Sequence, residues 1–219
     1  MSIADNVAVV EARVAAACAR AGRKRDEVTL IAVSKTFPPD AVSEAIAAGI
    51  REVGENRVQE ARDKRPLVTG PARWHLIGHL QSNKAKDAAR LFEVIQTVDS
   101  ISLAAKIAAA AQTAGCTIET LVEINIGRES QKYGVTPEEA EEIVEELRKL
   151  EGLHVSGLMA IPPAGEPEQT RAHFAELRKM RASLGLEHLS MGMSSDFEEA
   201  IEEGSTMIRV GRAIFGSRA

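Results

Sequence analysis

The amino-acid sequence predicts an α/β chain folded as a single (β/α)8 TIM barrel, with one extra helix at its amino end. Three observations carry this. Eight strand-like apolar runs alternate with helical patterns, the arrangement of parallel βα units, and eight is the number that closes a barrel. Hydrophobic content is 44% with only 3% aromatic, so the core is built from Ala, Val, Leu and Ile, which suits buried parallel strands covered by helices. No GxGxxG follows the first strand and no composition break halves the chain, which places an open doubly wound sheet second. The whole chain, 1–219, is expected to be one domain, short for a barrel and therefore sparing in its loops.

Ile3, Val7, Val10, Val14 and Ala17 recur at helical spacing, and Ser2 with Asp5 three residues later fits a helix start, so the first helix runs to about Gly22. Strands are predicted at 28–34, 51–54, 74–79, 92–98, 119–126, 153–161, 187–191 and 206–210. Helices fill the intervals at 40–48 (behind Pro38-Pro39), 57–64, 83–90, 102–114, 137–150, 168–184 and, briefly, 196–203. The best marked start is Thr136-Pro137-Glu138-Glu139: a Thr N-cap, a proline in the first turn and a glutamate able to reach back. Glu138, Glu139, Glu141, Glu142, Glu145 and Glu146 then form a solvated helix surface without a functional assignment.

Lys and Arg total 27 against 32 Asp and Glu, a net charge of −5, which disfavours a general electrostatic grip on nucleic acid or an anionic membrane. Cys18 and Cys116 lack a CxxC or a ligand-like spacing to histidine, and both read as small buried residues of a reducing compartment. Asp5, Glu11 and Arg13 interrupt what would have to be a signal core, and no run of about 18 apolar residues occurs. The expected location is the cytoplasm.

Barrels place their chemistry at the carboxyl ends of the strands. In order these ends offer Lys35, Asn56, His79, Asn125, Met159, the segment Met191-Gly192-Met193-Ser194-Ser195-Asp196, and Arg209-Val210-Gly211. Lys35 closes the run Val28-Thr29-Leu30-Ile31-Ala32-Val33-Ser34, where desolvation would push its amine toward the neutral, nucleophilic form that makes Schiff bases; the alternative is a stem lying on the rim with its head in water. Gly192 to Asp196 leaves one strand for a helix and Gly211 follows another, so N–H groups and serine hydroxyls make an anion cradle, unless Ser194 or Ser195 merely caps its helix. An aldehyde for Lys35 and a phosphate held across the ring describe pyridoxal 5'-phosphate. Arg209 either pairs with a structural carboxylate or faces the pyridine nitrogen, keeping that nitrogen unprotonated and the ring a weak electron sink. His75 and His79 share strand parity, but the stretch lacks the Glu of HExxH, and no metal is expected.

Several long motifs then carry a resemblance. Ala32-Val33-Ser34-Lys35-Thr36, Gly54-Glu55-Asn56-Arg57-Val58-Gln59-Glu60, Trp74-His75-Leu76-Ile77-Gly78-His79-Leu80-Gln81-Ser82-Asn83-Lys84, Leu189-Ser190-Met191-Gly192-Met193-Ser194-Ser195-Asp196 and Arg209-Val210-Gly211-Arg212-Ala213-Ile214-Phe215-Gly216 closely resemble the pyridoxal phosphate homeostasis protein family, across essentially the whole chain. The resemblance implies a barrel like the amino-terminal domain of alanine racemase, with pyridoxal phosphate on Lys35 as an internal aldimine. It implies Arg209 at the pyridine nitrogen, Ser194 and the backbone of Gly211 and Arg212 on the phosphate, and Ser195 as a second hydroxyl donor. Asn56 and His79 would line the pocket and Met159 would sit near the ring. Position 212 is Arg where the resemblance implies a small hydroxyl residue; a backbone contact survives that change and a side-chain hydroxyl contact does not.

Racemisation needs a second base, which in alanine racemase is a tyrosine from the carboxyl-terminal domain of the partner subunit. The one tyrosine here, Tyr133, follows the fifth strand and reads as loop packing. The resemblance therefore implies a monomeric cofactor carrier and regulator with no catalytic residues, and pyridoxal-phosphate-dependent apoenzymes as candidate recipients. A weak cofactor-dependent racemase is the alternative, and a cofactor-free Schiff-base aldolase a remoter one.

Overall fold

Ser2 starts the first helix: its hydroxyl accepts the Asp5 N–H at 3.1 Å while the Asp5 carboxylate takes the Ser2 N–H at 2.9 Å. The computed structural model describes residues 2–163 and 165–216. Helix α1 (Ile3–Arg20) buries Val7, Val10, Val14, Ala17 and Cys18, the stripe its periodicity predicts. The chain then alternates through β1 (Thr29–Val33), α2 (Pro39–Ala47), β2 (Glu52–Glu55), α3 (Val58–Lys64), β3 (Arg73–Leu76), α4 (Ala85–Leu91), β4 (Val94–Val98) and α5 (Ile101–Ala114). It continues through β5 (Ile118–Glu123), α6 (Ala140–Arg148), β6 (Leu153–Met159), α7 (Pro167–Ser183), β7 (His188–Met193), α8 (Phe197–Glu202), β8 (Met207–Val210) and α9 (Arg212–Phe215).

The eight strands form one closed barrel in sequence order. All neighbours are parallel, and β8 closes on β1 with Ile31 opposite Arg209 and Ala32 opposite Val210. Ile31, Val94, Leu121, Met159 and Met207 fill the barrel interior as one apolar cluster, and the larger core lies between strands and helices. Helix α1 packs on α2, α8 and α9, so the extra amino-terminal helix lies beside the closing strands.

The structure departs locally from these expectations at four points. Helix α6 begins at Ala140, because the Thr136 hydroxyl donates to the Glu139 carboxylate at 2.7 Å and so does not accept a helix N–H, while that carboxylate also takes the Thr136 N–H at 3.0 Å. Strand β3 ends at Leu76, three residues before the predicted end, so His79 stands in the following loop. Cys116 is exposed, and only Cys18 is buried, where burial pushes its thiol pKa up. Helix α9 has four residues, too few to show a periodic pattern.

Candidate functional site

Strand β1 stops at Val33, and the next residues turn sharply: the Phe37 N–H bonds the Ser34 carbonyl at 3.0 Å and Thr36 adopts φ +70°. Lys35 occupies this turn and is half-buried. It lines a cavity of about 790 Å3 at the carboxyl ends of the strands, together with Asn56, Ser194, Ser195, Arg209, Gly211 and Arg212. Apolar Val33, Phe37, Ile77, Ile161 and Met193 complete much of the wall. Seven of the nine residues singled out from sequence thus meet at one cavity. The anion-cradle segments are not across the ring from Lys35. Because β8 adjoins β1, Gly211 packs directly on the end of β1, where an added Cβ would lie 3.1 Å from the Val33 carbonyl oxygen.

The loop after β7 depends on Gly192. Its φ is +92°, and a Cβ there would meet the Ala200 Cβ at 2.5 Å, so only glycine admits this approach of strand to α8. Asp196 is the N-cap residue of α8, and its carboxylate accepts the Met193 N–H at 2.6 Å. Neither serine caps the helix. Among the described residues the Ser194 and Ser195 hydroxyls have no hydrogen-bond partner, and both stand on the cavity wall. The first N–H groups of α9, at Arg212 and Ala213, likewise have no carbonyl one turn earlier in their own helix.

Arg209 is buried, and its guanidinium is aimed by two acceptors, the Ser190 hydroxyl at 2.6 Å and the Ala160 carbonyl at 2.9 Å. Burial lowers its pKa to about 10, against the opposing pull of Asp196 and Glu123, so it remains a cation at neutral pH. Asn56 follows β2, and its Oδ1 is buried without a hydrogen-bond partner among the described residues. The chain after β3 presses against it: a Cβ on Gly78 would come within 2.3 Å of the Asn56 carbonyl oxygen.

His79 and Met159 are not on the cavity wall. His79 stacks on Tyr133 with ring centroids 3.6 Å apart, and its Nδ1 lies 3.5 Å from Asp99 Oδ2. Met159 is fully buried in the interior cluster below the site. Asn125 folds its own loop, donating to the Glu129 carbonyl at 2.8 Å and accepting the Glu129 N–H at 3.1 Å. His75 is sealed inside the barrel between Glu52, 2.6 Å from Nε2, and Gln96, 2.9 Å from Nδ1. The two histidines therefore do not converge.

Several polar groups escaped the sequence reading. Lys64, only 6% exposed, is buried behind the Lys35 turn, and it bonds Glu55 at 2.6 Å and Glu60 at 2.9 Å. The Glu60 and Lys64 spacing is legible as an i,i+4 pair, but its inward aim is not. Glu123, at the end of β5, has its pKa raised to about 7 by burial and then by Asp99, with Arg209 opposing. A charged residue closing an apolar strand run is the only signal that marks it.

The chain matches the model of the alanine racemase N-terminal domain over residues 6–219. It is 42% identical over 221 residues to the pyridoxal phosphate homeostasis protein of Pseudomonas aeruginosa, covering 99% of this chain and 96% of that one. It is 41% identical over 226 residues to the protein of the same name from Aquifex aeolicus, covering 100% and 99%. Among solved structures, PipY of Synechococcus elongatus with pyridoxal phosphate bound superposes with a TM-score of 0.86 at 37% identity, covering 98% of this chain and 100% of that one. Barrel, cavity and full-length identity agree: this chain carries an alanine racemase N-terminal domain and belongs to the pyridoxal phosphate homeostasis protein family.

Proposed function

We propose that this chain binds pyridoxal 5'-phosphate in the Lys35 cavity, holds it covalently but reversibly, and takes part in cofactor homeostasis. The observation that carries this reading is the meeting of an amine, two uncommitted serine hydroxyls and a buried guanidinium on one wall. The residues suit that group. Ser194, Ser195 and the N–H groups at Gly211 and Arg212 supply donors for a phosphate dianion. Arg209 presents a cation where a ring nitrogen would accept, and the apolar Val33, Ile77 and Ile161 suit a ring face. Lys35 supplies the nucleophile: its neutral Nζ adds to an aldehyde carbon, and the carbonyl oxygen leaves as water as the carbon–nitrogen double bond forms. The group supplies that aldehyde and a ring able to delocalise charge. Asn56 borders the same space, while His79 and Met159 act one layer away, at the rim and beneath the floor.

The reading is of a carrier without catalytic turnover, supported by the homeostasis-protein names of its relatives and by an arginine rather than a carboxylate on the cavity wall. The one tyrosine, Tyr133, is exposed and stacked on His79. We place the protein in the cytoplasm as one monomeric barrel unit that exchanges cofactor with pyridoxal-phosphate-dependent apoenzymes. In support, no helix among the described residues is long and apolar enough to cross a membrane. Both cysteines are free, and the closed barrel exposes no strand edge for pairing.

The test is direct. Mixing the purified protein with pyridoxal phosphate should produce an absorption that borohydride fixes as a mass increment on Lys35, and Lys35→Ala should lose the increment. A parent protein that is neither coloured nor labelled overturns the reading. Incubation with single L-amino acids in deuterated buffer separates carrier from racemase, because sustained α-deuterium exchange requires turnover.

A further inference from the structure

Helix α3 grips both peptide groups that flank Lys35. Lys64 Nζ donates to the Ser34 carbonyl at 2.8 Å, which belongs to the peptide before Lys35. Glu60 Oε1 accepts the Thr36 N–H at 2.5 Å, which belongs to the peptide after it. The two side chains are tied to each other at 2.9 Å, one turn apart on the same helix. Glu55 completes the clamp from the end of β2, its Oε1 taking both Lys64 at 2.6 Å and the Ser34 hydroxyl at 2.6 Å. Lys64, Glu55 and Ser34 are all buried.

We propose that Lys64 and Glu60 are positioning residues that fix the direction in which Lys35 leaves the backbone, and so set the rate at which its amine captures an aldehyde. The inference rests on the cofactor reading above and adds the device that aims the amine. A hydrophobic strand end would suffice to end β1. It would not hold Thr36 at φ +70°, a left-handed conformation that a β-branched residue adopts only when its surroundings impose it. Nor is a buried lysine needed for packing, since an aliphatic side chain would fill the volume without a charge to satisfy. What the Lys64 and Glu60 pair uniquely provides is one donor and one acceptor placed on opposite sides of the same residue. With two flanking peptides anchored, rotation of the Lys35 Cα–Cβ vector is restrained.

The experiment compares the parent with Glu60→Ala, Glu60→Gln and Lys64→Met. Each is mixed with pyridoxal phosphate, covalent capture is followed by absorption, and Lys35 labelling is mapped after borohydride. Affinity for pyridoxine 5'-phosphate, which keeps ring and phosphate but has an alcohol for the aldehyde, is measured in parallel. Glu60→Ala is expected to slow capture on the order of ten- to a hundredfold, the effect of misplacing a reacting group by a fraction of its reach. Glu60→Gln keeps a carbonyl oxygen for Thr36 and is expected to recover most of that loss, and Lys64→Met to slow capture as Glu60→Ala does. The alcohol analogue should bind all variants as it binds the parent. Parental capture rates in Glu60→Ala overturn the inference and leave the cofactor reading standing. A proportionate loss of analogue affinity also overturns it, since the whole cavity would then have moved. An unlabelled parent overturns both. Should Lys64→Met unfold, the Glu60 pair decides, because it leaves the buried Lys64 and Glu55 contact in place.

Discussion

Arg209 and Glu52 are the two ends of one hydrogen-bond chain that crosses the barrel interior. Arg209 donates to Ser190 Oγ at 2.6 Å, and Ser190 donates to Gln96 Oε1 at 2.7 Å. The Gln96 amide nitrogen lies 2.9 Å from His75 Nδ1, and His75 Nε2 lies 2.6 Å from Glu52 Oε2. An amide N–H can only donate, so Nδ1 accepts and Nε2 carries the ring proton toward Glu52. Every donor therefore points away from the cation and toward the carboxylate, and the chain aims the guanidinium from below.

Gln96 is the link that both satisfies Ser190 and sets the His75 tautomer. Gln96→Leu strands the serine hydroxyl and a ring nitrogen inside the barrel, at an expected cost of about 2–4 kcal/mol. Urea unfolding measures it. Unchanged stability would show that the chain does not hold the interior together.

Glu123 makes stability depend on pH. Its folded pKa of about 7 lies above the ordinary carboxyl value of 4.5, so the folded state keeps a proton that the unfolded chain has released. Its contribution is fully present below about pH 4.5 and is lost as pH rises through about 7, by up to about 3 kcal/mol. Glu123→Gln should flatten this part of the stability profile between pH 5 and 8, read by thermal unfolding across that range. An equally steep decline in the variant would assign the dependence to another group.

Gly192→Ala combines a φ of +92° with a Cβ only 2.5 Å from that of Ala200. Strain and overlap together are expected to cost about 2–4 kcal/mol and to move the Ser194 and Ser195 loop. Denaturant unfolding reads the first effect and weakened phosphate-dependent binding the second.

Ser194→Ala with Ser195→Ala removes two hydroxyl donors from the cradle and leaves Lys35 and the N–H groups. Hydrogen bonds to a charged acceptor contribute about 1.5–3 kcal/mol each, so affinity for pyridoxal phosphate should fall at least about tenfold. Affinity for pyridoxal, which lacks the phosphate, should change little. Equal losses for both ligands would place the serines away from the phosphate.

Local order was legible where it depends on neighbours in sequence. The strand-and-helix alternation, the Ser2 and Asp5 box and the buried stripe of α1 all express short-range periodicity, and the ring of strand ends placed Lys35, Asn56, Ser194, Arg209 and Gly211 at one end of the fold. At Thr136 the glutamate reaches back as expected, but the hydroxyl does not cap, because a hydroxyl can donate as well as accept and only the folded loop chose.

The sequence by itself determined the parallel eight-stranded alternation and put an amine, an arginine and two serines at strand ends, because strand direction alone carries such residues to a common rim. Tertiary structure decided that β8 closes beside β1, which seats Gly211 against Val33 rather than across the ring. It decided as well that Lys64 and Glu60 clamp the Lys35 turn and that Gln96 joins His75 to Ser190. These contacts join residues far apart in the chain, and a buried donor takes whichever acceptor the closed barrel brings to it.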